Sequence, residues 1–319
     1  MALRDQSKEH KIMLQIRFKN IALLLSLFAA YSADRAVASE TFVGAEQFMK
    51  IRCNLSAENA ITTWSGNVTT TGVGPERSQT LFKIIGFNIA RCFKDETGNW
   101  TVTSRELTFY LDPQTGALLN EWKNPWTGET VPVVHIANAL VQQKIPAAAK
   151  LVTERTGQTA IVRIDVPLSY PNPLAGDNQF AAYSPEPTYK AHESFTYILS
   201  RADLDGLASS APVADVQVSW TRVSPWLPWM KMGALNGHLV FNALVQKQKS
   251  ADDVPELIRS QIATADLGIY LDAPRCIVKS KANVSSWTYF KNNFSDYLRG
   301  ALFPRPEPAE HAAGECNQQ

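Results

Sequence analysis

The chain has 319 residues, of which 45% are hydrophobic and 10% aromatic, and its 31 basic and 30 acidic residues give a formal net charge of +1. Residues 1–38 hold six of the basic and three of the acidic residues, so the remainder carries a net charge of about −2. Because no basic patch stands out in this balance, a nucleic acid partner is not expected.

The first 38 residues have the pattern of a secretory signal peptide. A basic stretch precedes an apolar run over 21–30, and Ala36-Val37-Ala38 supplies the small residues that a signal peptidase recognises. The apolar run is too short for a permanent membrane helix, which needs roughly 20 residues. We therefore predict a periplasmic or secreted protein that begins near Ser39 and has no integral membrane segment after cleavage. An anchored amphipathic segment is the alternative.

The rest of the chain is long enough to bury a sizeable core. We predict a single domain over 39–303 and a disordered, Pro- and Glu-rich tail over 304–319. Cys53 and Cys92 lie on apolar, strand-like segments, and they could be bridged or simply buried. Cys276 and Cys316 are the other possible pair.

Strand patterns dominate from about residue 60 to residue 247 and indicate a meander of short antiparallel strands. Residues 112–116, Asp-Pro-Gln-Thr-Gly, and the Asn-Pro-Trp-Thr-Gly segment at 124–128 have turn composition. Gly86 predicts a bend or a bulge within its strand. The predicted strands are 62–71, 80–93, 100–111, 118–123, 130–136, 158–168, 193–199, 214–223 and 237–248.

Two helices are predicted near the C-terminus, over 252–267 and 285–302, because apolar residues recur there at helical spacing. No helices alternate with the strands. The sequence therefore predicts a mainly β fold, an antiparallel lipocalin-like β-barrel of eight or nine strands. The two helices would pack on the outside of the barrel or close one end. A two-sheet sandwich is the alternative.

Metal and cofactor chemistry are not expected from the sequence. Four histidines follow residue 38 and one of these, His311, lies in the tail, so a three-histidine metal site would need all the others. The chain also lacks the short motifs of zinc proteases, of nucleophile elbows, and of dinucleotide- and phosphate-binding loops.

Ionisable residues interrupt several apolar strands. Arg105 and Glu106 are adjacent, so they must face opposite sides of the sheet, and one of them faces the interior. A buried charge needs a partner, because an isolated one costs several kcal/mol. We predict that His135 is a general acid or base oriented by Glu106 or Glu193. Arg91 or Arg105 would then stabilise a developing oxyanion. The competing interpretation is a structural ion pair, such as Arg91 with Glu106.

Aromatic residues are concentrated in Pro-containing turns. Gathered at one rim of a barrel, these tryptophans would form an apolar mouth for a ring-bearing or lipid-like ligand, and nearby tyrosines would add phenolic donors. Alternatively, they plug the end of the barrel. The candidates are Trp122, Trp126, Trp226, Trp229, Tyr110, Tyr170 and Tyr289.

Seven segments carry a family resemblance: 51–56, 86–92, 104–113, 122–129, 134–138, 225–233 and 286–290. The most specific are Trp-Lys-Asn-Pro-Trp-Thr-Gly-Glu at 122–129 and Pro-Trp-Leu-Pro-Trp-Met-Lys-Met-Gly at 225–233. Together they resemble the bacterial and fungal family catalogued as domain of unknown function 1838. One departure is Ala139-Leu140, where the family would have Asp-Pro. The resemblance implies a shared domain and specifies no reaction.

These observations predict an exported protein that acts on an apolar or aromatic small molecule in a Trp-rimmed cavity. The chemistry would be cofactor-independent acid/base catalysis of the isomerase, lyase or hydrolase type. One alternative is a non-catalytic carrier of a lipid or another hydrophobic ligand. A structural protein with a filled barrel is the other.

Overall fold

The computed structural model of the protein describes residues 41–54, 58–72, 79–206, 216–265, 267–277 and 286–300. The predicted signal peptide over 1–38, its cleavage point near Ser39 and the predicted tail over 304–319 lie outside these residues.

Twelve strands occur in the described residues. They are β1 (Thr41–Gly44), β2 (Ala60–Thr71), β3 (Gln79–Lys94), β4 (Trp100–Leu111), β5 (Glu121–Lys123), β6 (Thr130–Pro132), β7 (Ile136–Ile145), β8 (Lys150–Thr156), β9 (Thr159–Pro171), β10 (Thr188–Ser200), β11 (Gln217–Ser224) and β12 (His238–Gln248). Each of the nine predicted strands overlaps one of these. The sequence patterns did not predict β1, β7 or β8.

Ten of the strands form one antiparallel sheet in the order β1-β8-β9-β10-β11-β12-β2-β3-β4-β7, while β5 and β6 form a separate ribbon. The mainly antiparallel β prediction is therefore confirmed. In the described part of the chain β1 and β7 are the two edges, so the sheet is a curled half-barrel. Its register is interrupted between Val68 and Thr69 and between Ser104 and Glu106, and such bulges increase the local twist of a sheet.

The concave face of the sheet carries two hydrophobic clusters. The first, the α1 cluster, joins helix α1 (Ala45–Arg52) to the strands and includes Phe48, Val102 and Tyr197. The second, the aromatic cluster, joins the sheet to the two turns that contain Pro-Trp pairs and includes Phe82, Tyr110, Trp226 and Trp229. Because strand side chains alternate, both clusters lie on the same face, one toward each end of the strands.

The convex face is covered by the segment that follows β12. Helix α3 (Glu256–Thr264) packs Ile258 and Ile262 against a group of buried side chains on β3 and β4 that includes Phe87 and Leu107. Helices α4 (Ser286–Asn292) and α5 (Phe294–Leu298) instead join the aromatic cluster. The helix predicted over 252–267 thus packs outside the sheet, and the helix predicted over 285–302 becomes two helices. A further short helix, α2 (Arg201–Gly206), follows β10.

Cys53 and Cys92 form a disulfide with a Cα–Cα distance of 6.2 Å, which joins the end of α1 to β3. Cys276 is also disulfide-bonded. The possible pairing of Cys276 with Cys316 involves a residue outside the described part of the chain. None of the helices in the described ranges has the length and apolar character that crossing a bilayer requires.

Candidate functional site

A cavity of about 310 Å³ lies on the concave face of the sheet. Its walls include members of both clusters: Ile51 and Tyr197 from the α1 cluster, and Phe241 and Trp287 from the aromatic cluster. The cavity therefore occupies the space between the two clusters, where neither fills the curl of the sheet. A volume near 300 Å³ is at the lower end of the range for small-molecule sites in proteins.

A row of polar side chains crosses the floor of this cavity. Lys247 pairs with Thr62, Thr62 with Asn88, Asn88 with Glu106, and Glu106 with Asn138, over the five adjacent strands β12, β2, β3, β4 and β7. Directly opposite residues in a sheet point to the same face, and all five side chains line the cavity. The sheet thus presents a continuous polar stripe on an otherwise apolar concave surface.

Glu106 is the central member of the stripe. Protein surrounds its carboxyl group, and this burial, together with the charge of Glu193, raises the pKa of Glu106 to about 7. The cations Arg222 and Arg52 and a hydrogen bond from Asn138 act in the opposite direction, but they offset only part of the rise. At neutral pH the carboxyl group is therefore present in both its protonated and its ionised form.

Glu193 lines the opposite wall and is held differently. The Arg222 guanidinium donates through Nη1 to Glu193 Oε1 and through Nη2 to the Tyr189 hydroxyl. Burial alone would lower the pKa of Arg222, but Tyr189 and Glu193 raise it above its ordinary value. Arg222 thus stays cationic and Glu193 is salt-bridged, whereas no salt bridge reaches Glu106 within the residues described.

Aromatic side chains form the remaining walls, including Trp64, Trp220 and Trp287. Trp64 pairs with Gly86 on β3, where a Cβ atom would lie only 2.0 Å from Cε2 of the indole. The register is continuous at Gly86, so the predicted bulge does not occur there. The glycine instead leaves space for the Trp64 ring on the concave face.

His135 does not line the cavity. It is buried, its Nδ1 accepts a hydrogen bond from the Tyr110 backbone N–H at 3.1 Å, and its ring lies 5.3 Å from that of Phe109. Burial lowers the pKa of His135 to about 4, so its imidazole is neutral at physiological pH. Glu106 and Glu193 both line the cavity, whereas His135, which one of them was expected to orient, is not among the described residues that line it.

Arg91 and Arg105 lie on the convex face. Arg91 Nη2 donates to Asp272 Oδ1 at 2.8 Å, and Arg105 Nη1 donates to the Asp272 carbonyl oxygen. The two guanidiniums therefore hold the segment after α3 against the sheet. This geometry corrects the proposed Arg91–Glu106 ion pair, because the partner of Arg91 is Asp272 and Glu106 faces the other side. The prediction that Arg105 and Glu106 face opposite sides is confirmed.

The four predicted tryptophans pack against one another rather than around the cavity. The Trp122 ring lies 6.0 Å from that of Trp229, and the Trp126 ring 5.4 Å from that of Trp226. Trp226 and Trp229 are buried in the aromatic cluster, and Trp122 and Trp126 cover it. Such contacts are expected if the tryptophans fill one end of the sheet, which is the alternative given for them above.

The three candidate tyrosines are also placed near this cluster. Tyr110 and Tyr289 are buried members of it, and the Tyr170 ring stacks on that of Tyr189 at 4.7 Å. Burial raises the pKa of Tyr110, so its phenol stays protonated. None of the three is among the described residues that line the cavity.

Several cavity residues were not anticipated from the sequence. The polar ones are Arg52, Asn88, Asn138, Arg222 and Lys247, and the aromatic ones are Trp64, Trp220 and Trp287. Strand alternation could have indicated some of them, because residues two apart on a strand point to the same face. Asn88 shares a face with Gly86, and Trp220 shares a face with Arg222. What the sequence lacked was the register that places these side chains beside Glu106.

The described residues contain no group of three or more His, Cys, Asp or Glu side chains arranged to hold a metal ion. A family model described as "Protein of unknown function (DUF1838)" matches residues 57–294. The matched range includes every cavity residue named above except Ile51 and Arg52. No curated protein matches the chain.

Proposed function

The chain belongs to the DUF1838 family, and from the geometry of its cavity we propose that it binds an apolar or aromatic small molecule there and that Glu106 exchanges a proton with it. The reaction class is cofactor-independent acid/base chemistry of the isomerase, lyase or hydrolase type.

One observation carries this proposal: a carboxyl group with a pKa of about 7 lies in a cavity of ligand size. A general acid or base works best when its pKa is near the working pH, because both forms are then available. Strongly perturbed carboxyl groups in clefts are for this reason candidates for functional sites. Glu106 replaces His135 in the role that the sequence analysis gave to the imidazole.

The side chains around Glu106 would each support the proposed proton transfer. The side chains of Asn88 and Asn138 flank Glu106 in the polar stripe and would orient its carboxyl group. Arg222 and Arg52 are close enough to lower the pKa of Glu106, so they would also stabilise negative charge that develops on the ligand. Glu193 keeps Arg222 in position.

We also propose that the half-barrel acts as a lipocalin-like container and that residues 1–38 direct its export to the periplasm or the exterior. The pattern of basic, apolar and small residues supports export. The Cys53–Cys92 disulfide is consistent with it, since disulfides persist in oxidising compartments.

A comparison of the wild-type protein with Glu106→Gln tests the proposed function. Each is incubated with a small-molecule extract of the source cells, and bound and free compounds are identified by mass spectrometry. We expect both proteins to retain the same compound and only the wild type to convert it, to an isomer or to a product that differs by water. Conversion by Glu106→Gln at the wild-type rate would contradict the role of Glu106.

The second candidate function, a carrier, is favoured by the aromatic walls of the cavity. A carrier needs the cavity but not the titrating carboxyl group. In the same experiment, a compound that is retained and left unchanged by the wild-type protein would identify a carrier.

A further inference from the structure

The polar side chains that line the cavity include the stripe from Lys247 to Asn138, the pair Glu193 and Arg222, and Arg52. Glu193 and Arg222 pair with each other, and Lys247 Nζ donates to the Cys53 carbonyl oxygen at 2.9 Å. The indole Nε1 atoms of Trp64, Trp220 and Trp287 are buried within the walls. These three tryptophans therefore offer the cavity apolar ring surface.

The charged side chains that line the cavity favour an anionic ligand. Arg52 and Lys247 both line it, and within the described chain neither forms a salt bridge with a carboxylate. Arg222 is balanced by Glu193, which leaves Glu106 as the remaining acidic group. Two cations thus face at most one further carboxylate, so the cavity has a positive excess in either protonation state of Glu106.

We propose that the ligand of this cavity is an organic carboxylate with a flat, apolar body. The carboxylate oxygens lie near Arg52 and Lys247, while the body packs against the rings of Trp64, Trp220 and Phe241. This inference rests on the proposed function, because it names the ligand class of the same site. Charge-assisted hydrogen bonds are about twice as strong as neutral ones, which makes the carboxylate the preferred acceptor.

Three probes with the same fused-ring body test the ligand class: naphthoate, naphthamide and naphthylmethylammonium, titrated against the full chain by calorimetry. We expect naphthoate to bind about tenfold more tightly than naphthamide and the ammonium to bind most weakly. Lys247→Met should weaken naphthoate binding about tenfold and leave naphthamide binding unchanged. Lys190→Met, which removes an exposed lysine on the other face of β10, is the matched control.

A second variant guards against a folding defect in Lys247→Met. Arg52→Gln removes the other lining cation that forms no salt bridge in the described chain and keeps a polar side chain, so it should also weaken naphthoate binding while circular dichroism stays unchanged. Equal or tighter binding of naphthamide or the ammonium, with Lys247→Met lacking any effect on naphthoate, would overturn the carboxylate assignment and leave the proposed function standing. Absence of binding by all three probes would overturn both.

Discussion

Glu106 on β4 and Glu193 on β10 line the same cavity, although four strands separate β4 from β10 in the sheet. Burial does most to raise the pKa of Glu106, and the charge of Glu193 adds to it. The curl of the sheet brings these carboxyl groups to one cavity, and Arg222 forms a salt bridge with Glu193. The titration of one residue thus depends on the charge of the other.

Replacing Glu193 by Gln should lower the pKa of Glu106. The substitution removes the negative charge that raises this pKa and releases Arg222, whose positive charge lowers it. Carboxyl ¹³C NMR titration of labelled glutamates measures the shift. Glu186→Gln, which changes an exposed glutamate, is the matched control. An unchanged midpoint for Glu106 in Glu193→Gln would show that the two groups are not coupled.

The stability of the protein should depend on His135 at mildly acidic pH. Its pKa is about 4 in the folded protein and 6.5 in a model peptide, so below pH 6.5 the unfolded chain binds a proton that the folded protein does not take up. The contribution of the neutral His135 to the free energy of unfolding is therefore fully present above pH 6.5 and is lost as the pH falls toward 4.

His135→Asn retains an acceptor for the Tyr110 N–H and removes the titrating group. The wild type should therefore lose about 3 kcal/mol of unfolding free energy relative to this variant between the two pH values. Urea denaturation over the pH range measures the difference, and His238→Asn serves as the exposed control. Parallel curves for the wild type and His135→Asn would contradict the assignment of a buried, neutral imidazole.

Gly86→Ala should disturb the cavity through Trp64. The added Cβ would lie 2.0 Å from the indole, so the ring must leave its position on the concave face. We expect a loss of about 1–3 kcal/mol in stability and a loss of naphthoate binding, measured by urea denaturation and calorimetry. Gly268→Ala, where a Cβ meets no atom within 4 Å, should change neither. Full binding by Gly86→Ala would show that the position of Trp64 does not shape the site.

Asn124 should matter for stability rather than for ligand binding. This buried residue donates through Nδ2 to the Met230 carbonyl oxygen at 2.9 Å and accepts from the backbone N–H groups of Trp126 and Thr127. It therefore joins the two turns that carry the predicted tryptophans. Asn124→Ala leaves buried groups unpaired and should cost about 3 kcal/mol, measured by urea denaturation against the exposed Asn178→Ala. An unchanged free energy of unfolding in Asn124→Ala would contradict the role of Asn124 in joining the two turns.

The local patterns of the sequence were sufficient for the strand class and for most strands. Alternation over 100–111 predicted β4 and the opposite directions of Arg105 and Glu106, because a period of two is a property of the strand itself. The patterns did not predict β8, which is short and mostly exposed. They also did not predict that the described sheet is a half-barrel with edges at β1 and β7 rather than a closed barrel. Whether a sheet closes depends on the twist accumulated over all of its strands, and a local sequence pattern does not contain this information.

Local patterns also indicated some of the residues of the candidate site, but not how they are arranged. Glu106 and Glu193 stood out as charges within apolar strands, and both face the cavity. His135 stood out equally, but its ring satisfies a backbone N–H of Tyr110 instead. Local sequence shows which residues are unusual in a strand. The register between distant strands decides which of them meet, and that register brings Asn88 and Asn138 to either side of Glu106.

The most direct test of the proposed acid/base site is the titration of Glu106 itself. Carboxyl ¹³C NMR of the full chain with labelled glutamate, with the Glu106 signal assigned by its loss in Glu106→Gln, gives the midpoint. The structure predicts a midpoint at a pH of about 7. A midpoint at the ordinary value of 4.5 would mean that the carboxyl group is solvated and ionised, and it would contradict the proposed role of Glu106.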